Sequence, residues 1–100
     1  MSSKLQAKLK LLAAKVGYYA KIPGEDGTLR LEDVGLVLGW LREADYKTTD
    51  DKTELTIQEF KSYTFPFGSK GEYRTVASGE GDTLTAALVH SVLVLPLSDE

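Results

Sequence analysis

The first 24 residues carry five lysines and no carboxylate, and their apolar residues recur at the spacing of an α-helix. Steps of four, three, four and three between apolar positions predict a helix over residues 4–20. Its stripe consists of Leu5, Leu9, Leu12, Val16 and Tyr19. The five lysines give this segment a net charge of +5 and leave −8 for the remaining residues. The chain therefore divides into a basic amphipathic helix and an acidic remainder.

The composition is typical of a soluble globular domain, with 42% hydrophobic and 27% charged residues. At 100 residues the chain fits a single domain over residues 1–100, because folded chains of this size bury roughly 60–70% of their extended surface. It has no cysteine, which excludes disulfides, thiolate metal ligands and thiol nucleophiles. No secretory signal pattern and no apolar run of ~20 residues is present, so we expect a cytoplasmic protein that does not cross a membrane.

Periodicity and turn residues predict the remaining elements. Helices are expected over 30–44 and 83–95, and two strands, 54–65 and 72–78, form a hairpin with a six-residue loop. Residues 45–53 show no apolar period and are predicted to be a solvated linker. The predicted fold class is α+β, with a small antiparallel sheet packed with three helices.

The second predicted helix is apolar on two sides. Leu31, Val34, Leu38 and Leu41 form one stripe, while Leu36 and Trp40 point roughly the other way. Trp40 lies either in the core or at an interface, where exposed tryptophan is enriched. Gly35 and Gly39 are costly inside a helix, which predicts that another backbone approaches closely there.

Three motifs resemble functional sites and fail on spacing or chemistry. The Glu25–Asp33 segment resembles half of a calcium loop, but its first ligand positions fall on Ile22 and Gly24. The glycine-rich Ser78–Thr83 segment lacks the lysine of a phosphate loop, and Asp82 or Thr83 is better used as a helix cap. His90 has no second ligand or catalytic partner near it in sequence. We therefore predict no catalytic residues, no metal site and no cofactor.

Lys4, Lys8 and Lys15 border the apolar stripe of the first helix and form a possible ridge for anions or nucleic acid. Three lysines are few, because non-specific nucleic-acid binding usually rests on about 6–10 phosphate contacts. The more common arrangement is a solvated face or pairing with the chain's own carboxylates.

The segment from Glu72 to Leu93 resembles part of a known family. Its Glu-Tyr-Arg-Thr-Val-Ala strand and the following Gly-Asp-Thr-Leu-Thr-Ala-Ala-Leu-Val-His-Ser-Val-Leu helix look like the last strand and closing helix of small phage and prophage proteins with an α/β/α sandwich. The two long helices before the hairpin depart from that pattern. The resemblance implies a small accessory protein without known chemistry, and it transfers no functional residues.

The sequence favours a non-enzymatic interaction or accessory protein, and the resemblance of residues 72–93 implies a phage origin. Its expected partner is another protein or a second copy in an oligomer, bound through the acidic body and the apolar patch of Leu36 and Trp40. The alternative is a nucleic-acid-associated regulator that uses the lysine ridge of the first helix.

Overall fold

The computed structural model describes residues 3–51 and 53–97. These residues form three helices and a three-stranded antiparallel sheet, which confirms the α+β prediction. The elements in chain order are α1 (Ser3–Lys15), α2 (Leu31–Glu43), β1 (Tyr46–Asp51), β2 (Glu54–Phe65), β3 (Gly68–Glu80) and α3 (Leu84–Val94).

The sheet has the order β1-β2-β3, and the helices share one core with one of its faces. Leu55 and Ile57 of β2 are buried in that core, which places the helices on the face formed by odd-numbered β2 residues. Leu88 and Leu95 are completely buried, and burial of a leucine contributes about 2 kcal/mol. None of the helices in the described ranges has the length and apolar character needed to cross a bilayer.

Helix α1 ends at Lys15, five residues before the predicted end. Gly17 adopts a left-handed φ of 77°, and the Tyr18 N–H donates to the Ala13 carbonyl at 2.9 Å. The Gly17 N–H also donates to the Ala14 carbonyl, at 3.2 Å. These two hydrogen bonds together form a Schellman cap. Leu5, Leu9 and Leu12 are buried as predicted, but Tyr19 lies beyond the cap and is exposed.

Helix α2 buries Val34 and Leu41 of the predicted stripe and partly buries Leu38, but its core-facing side is rotated away from Leu31. Val34, Val37 and Leu41 face the core, whereas Leu31 is 82% exposed. The glycine prediction was also wrong: a Cβ built on Gly35 or Gly39 would meet no atom within 4 Å. No neighbouring backbone therefore offsets the helix-destabilising effect of these two glycines.

The predicted linker over 45–53 contains strand β1. Its register runs from Tyr46 opposite Glu59 to Asp51 opposite Glu54. β1 is an edge strand, and apart from the partly buried Tyr46 and Thr48 its described residues are exposed, so it needs no apolar alternation. Asp45, with a φ of 68°, turns the chain from α2 into the strand.

The β2–β3 hairpin is longer and its turn tighter than predicted. β3 begins at Gly68 rather than at residue 72, so the connection is Pro66 and Phe67 alone. The glycines that suggested a loop lie in the strand: a Cβ on Gly71 would stand 2.1 Å from the Phe60 ring, which covers that glycine.

The other end of β3 packs directly beneath α3. The strand continues to Glu80, through residues predicted to be a loop, and Gly79 is buried. A Cβ on Gly79 would stand 2.4 Å from the Ser91 backbone nitrogen and 2.5 Å from the Ala87 carbonyl oxygen. The glycine thus permits contact between strand and helix backbones. Thr83 caps α3 by accepting from the Ala86 N–H at 3.2 Å.

Candidate functional site: an aromatic hairpin arm and the groove at its base

The structure separates the two residues of the predicted apolar patch. Trp40 is 3% exposed and packs against Tyr18, with ring centroids 4.9 Å apart. The question left open by the sequence is thus resolved in favour of the core. Leu36 is 36% exposed and lines an open cavity of about 660 Å³ next to the 21–28 loop. A patch built from both side chains is not available at the surface, although binding through Leu36 stays a prediction.

That loop cavity is shaped by a local turn. Asp26 accepts hydrogen bonds from the Thr28 hydroxyl at 2.7 Å and from the Thr28 backbone N–H at 3.1 Å. These bonds stabilise the carboxylate and hold the pKa of Asp26 below its ordinary value of 3.8. The turn therefore uses the carboxylate to order the loop.

The predicted lysine ridge is divided among different contacts. The Lys8 ammonium donates to the Leu95 carbonyl at 2.5 Å, near the end of α3. Lys15 lies over the Tyr46 ring, 5.5 Å from its centroid. Lys4 is exposed on the first turns of α1. Two of the three ammonium groups thus bind parts of the same domain.

His90 and the carboxylates do not converge. The exposed His90 ring directs Nδ1 at the Glu80 carbonyl oxygen, so Nδ1 carries the proton and donates. Asp33 accepts from the Arg30 N–H at 3.1 Å and closes the start of α2. Within residues 3–51 and 53–97, no group of three or more histidine or acidic side chains is placed to hold a metal ion.

The distal part of the hairpin is exposed, and the sequence analysis did not predict it as a site. β1 begins at Tyr46, opposite Glu59, so it does not extend along the distal part of β2. From Phe60 onward β2 pairs with β3 alone, as far as the turn. We call residues 60–73 the arm. Six residue pairs extend past β1, which corresponds to roughly 20 Å at about 3.3 Å per residue. All arm residues are exposed, so no helix layer covers either face.

Five aromatic side chains are distributed over both faces and the tip of the arm. Phe60 and Tyr73 pair edge to face at 5.3 Å on the face opposite the helices. Tyr63 and Phe65 lie on the other face, because side chains alternate along β2. Phe67 in the turn is fully exposed. Exposed apolar arrays of this kind mark interaction sites.

A groove lies at the base of the arm, where β1 begins. It has a volume of about 700 Å³ and combines three aromatic rings with two cations. The lining residues are Arg42, Asp45, Tyr46, Lys47, Thr48, Phe60 and Tyr73. The Lys47 ammonium lies 5.1 Å from the centroid of the Tyr73 ring, which links the groove to the arm.

The arm and groove are cationic on an anionic protein. Together they hold four cations, namely Arg42, Lys47, Lys61 and Lys70, and two carboxylates, Asp45 and Glu72. This gives a net charge of +2, whereas the whole chain has −3. Glu59 and Arg74 face each other across the strands just below the arm and add no net charge.

One sequence feature points to this site. All three phenylalanines and two of the five tyrosines fall within residues 60–73, which is far above their frequency elsewhere in the chain. Strand alternation places Tyr63 and Phe65 on the same side of β2 as Leu55 and Ile57. Their exposure became visible only when the structure showed that the helices stop short of the arm.

No protein-family model, curated protein or solved structure matches the chain. The resemblance of residues 72–93 to phage proteins therefore stays a prediction.

Proposed function

We propose that this chain is a non-enzymatic binding protein that contacts another macromolecule through the arm and the groove. The observation that carries the proposal is the exposure of five aromatic side chains on a hairpin that extends beyond its own domain. Aromatic side chains are enriched at the energetic centres of interfaces, because they bury large areas at a small entropic cost.

The base of the arm is held firmly, which suits a contact surface. β2 and β3 stay paired from the core into the arm, with one β-bulge at Ile57 and Gln58, and their far ends pack under α3. The Phe60 ring covers Gly71 and meets Tyr73, so the first rings of the arm are positioned before a partner arrives. Positioned rings lose less conformational entropy on binding.

This proposal moves the binding surface away from Leu36 and Trp40. Trp40 packs against Tyr18 in the core, and Leu36 is a single leucine in the lining of an open cavity. The arm offers a larger continuous set of exposed rings than any other part of the described chain. Phage origin and a cytoplasmic location stay predictions from the sequence.

Site-specific photo-cross-linking tests the proposal. A benzophenone amino acid at Phe67, at the tip of the arm, is compared with the same amino acid at Tyr19, which is 83% exposed in the loop after α1. In extract of the source cells we expect discrete adducts from position 67 and none of the same adducts from position 19. Equal adducts from both positions, or none from position 67, would contradict the proposal.

A further inference from the structure

We propose that the arm and groove bind single-stranded nucleic acid. This inference rests on the function proposed above and names the class of ligand. It differs from the nucleic-acid interpretation of the sequence, since the lysines of α1 are not its contact surface.

The first argument is charge complementarity. The arm and groove have a net charge of +2, and the rest of the chain is −5. The ligand must therefore be anionic where it touches this surface, and the acidic remainder of the protein discourages contact elsewhere. Arg42 and Lys47 lie at the base while Lys61 and Lys70 lie further out, so the cations are spread along the arm. Such a distribution matches a chain of phosphates better than one compact anion.

The second argument is the combination of cations with exposed rings. Proteins that bind single strands without sequence preference use a cationic path and aromatic side chains on which bases stack. Here Lys61 and Lys70 alternate with Tyr63 and Phe65 on one face. On the opposite face Lys47 accompanies Phe60 and Tyr73, and Phe67 stands at the tip.

The third argument concerns the form of the nucleic acid. Bases within a duplex are stacked on each other and present only their edges, whereas a single strand can place them on protein rings. The arm is roughly 20 Å long, which suits a site of about 4–6 nucleotides, at the low end of known single-strand sites. An acidic protein would satisfy the cations but would make no such use of five separate rings.

The test measures fluorescence anisotropy of a labelled 12-nucleotide oligothymidylate titrated with the full chain. We expect a dissociation constant in the micromolar range at low salt, typical of non-specific binding. If the strand passes over both faces of the arm and contacts all four cations, the slope of log affinity against log salt concentration is about −3, at about −0.7 per contact. A 12-base-pair duplex should bind at least tenfold more weakly.

Two sets of variants locate the site. The double variant Lys61→Glu and Lys70→Glu should weaken oligonucleotide binding more than tenfold and flatten the salt slope. Phe65→Ser with Phe67→Ser should weaken binding at least fivefold with the slope retained, because stacking is lost and charge is not. Lys10→Glu in α1 and Tyr19→Ser in the loop after it, both exposed and outside the arm and groove, are the controls and should change affinity less than twofold. Circular dichroism verifies that every variant is folded.

Several results would overturn the inference. These are the absence of oligonucleotide binding, equal affinity for the duplex, equal affinity for polyglutamate or for phosphatidylserine vesicles, or equal effects of the arm and control variants. Light scattering without oligonucleotide compares the oligomer mass of the parent protein with that of the arm variants. If the parent protein is a dimer and the arm variants are monomers, a second copy is the occupant instead. If the oligonucleotide fails to bind while Phe67 cross-links to a protein, this inference is wrong and the proposed binding function stands.

Discussion

The two ends of the β2–β3 hairpin are built from the same pair of strands and have opposite environments. At one end Gly79 brings the β3 backbone into contact with α3, and Leu55 and Ile57 are buried beside it. At the other end the strands carry bulky rings and no helix covers them. The difference lies in whether a helix reaches the strands: Gly79 permits the close approach of α3 at one end, whereas the uncovered aromatic residues at the other end retain area for a ligand.

The largest loss of stability is expected from a substitution at the packed end of the hairpin. Gly79→Ala should lower the free energy of unfolding by about 3 kcal/mol, since its Cβ would collide with backbone atoms that cannot rotate away. Urea denaturation measures the change, with Ser78→Ala at the neighbouring exposed position as the control. A loss below about 1 kcal/mol for Gly79→Ala would show that α3 can move off the sheet at little cost.

The open end should respond much less to truncation. Phe60→Ala removes the edge-to-face contact with Tyr73 and the cover over Gly71, so a loss of about 1 kcal/mol is expected. Phe67→Ala, at a fully exposed turn residue, should change stability by less than about 0.5 kcal/mol. Urea midpoints of the two variants separate the rings that stabilise the arm from those that are free for binding. Equal losses would mean that the tip is packed in solution.

Substitution of the two α2 glycines should have a small effect on stability, and in the stabilising direction. Gly35→Ala and Gly39→Ala should each raise the free energy of unfolding by about 0.5–1 kcal/mol, because alanine favours the helix and its Cβ meets no neighbour. Thermal unfolding of each variant checks this. If either substitution destabilises the protein, a neighbour must approach α2 there, and the original expectation from the sequence would be restored.

Much of the fold follows from local sequence patterns. The α1 stripe of Leu5, Leu9 and Leu12, the Thr83 cap and the extent of β2 could be predicted, since each depends on residues close in sequence. Strand β1 could not, because it is an edge strand whose pairing depends on β2 rather than on its own composition. Gly71 was misinterpreted as a loop residue for the same reason, since its cover comes from Phe60 across the sheet.

The candidate site, too, could be predicted only in part from the sequence. The sequence contained the cluster of aromatic residues within 60–73 and the cations among them. The net charge of +5 in the first 24 residues nevertheless favoured α1 as the cationic surface. Folding reassigned those lysines: Lys8 binds the end of α3 and Lys15 lies over Tyr46. The groove joins residues from α2, β1 and both hairpin strands, so linear spacing does not reveal it.

By itself, the sequence determined the class of the protein: an α+β domain with an amphipathic first helix and an apolar last one. Tertiary structure decided which aromatic residues became core and which became surface. Trp40 and Phe67 are comparable as isolated aromatic residues, yet one is buried against Tyr18 and the other is fully exposed. The reason is that burial depends on whether another layer reaches a residue, and that reach is set by the length and placement of distant elements.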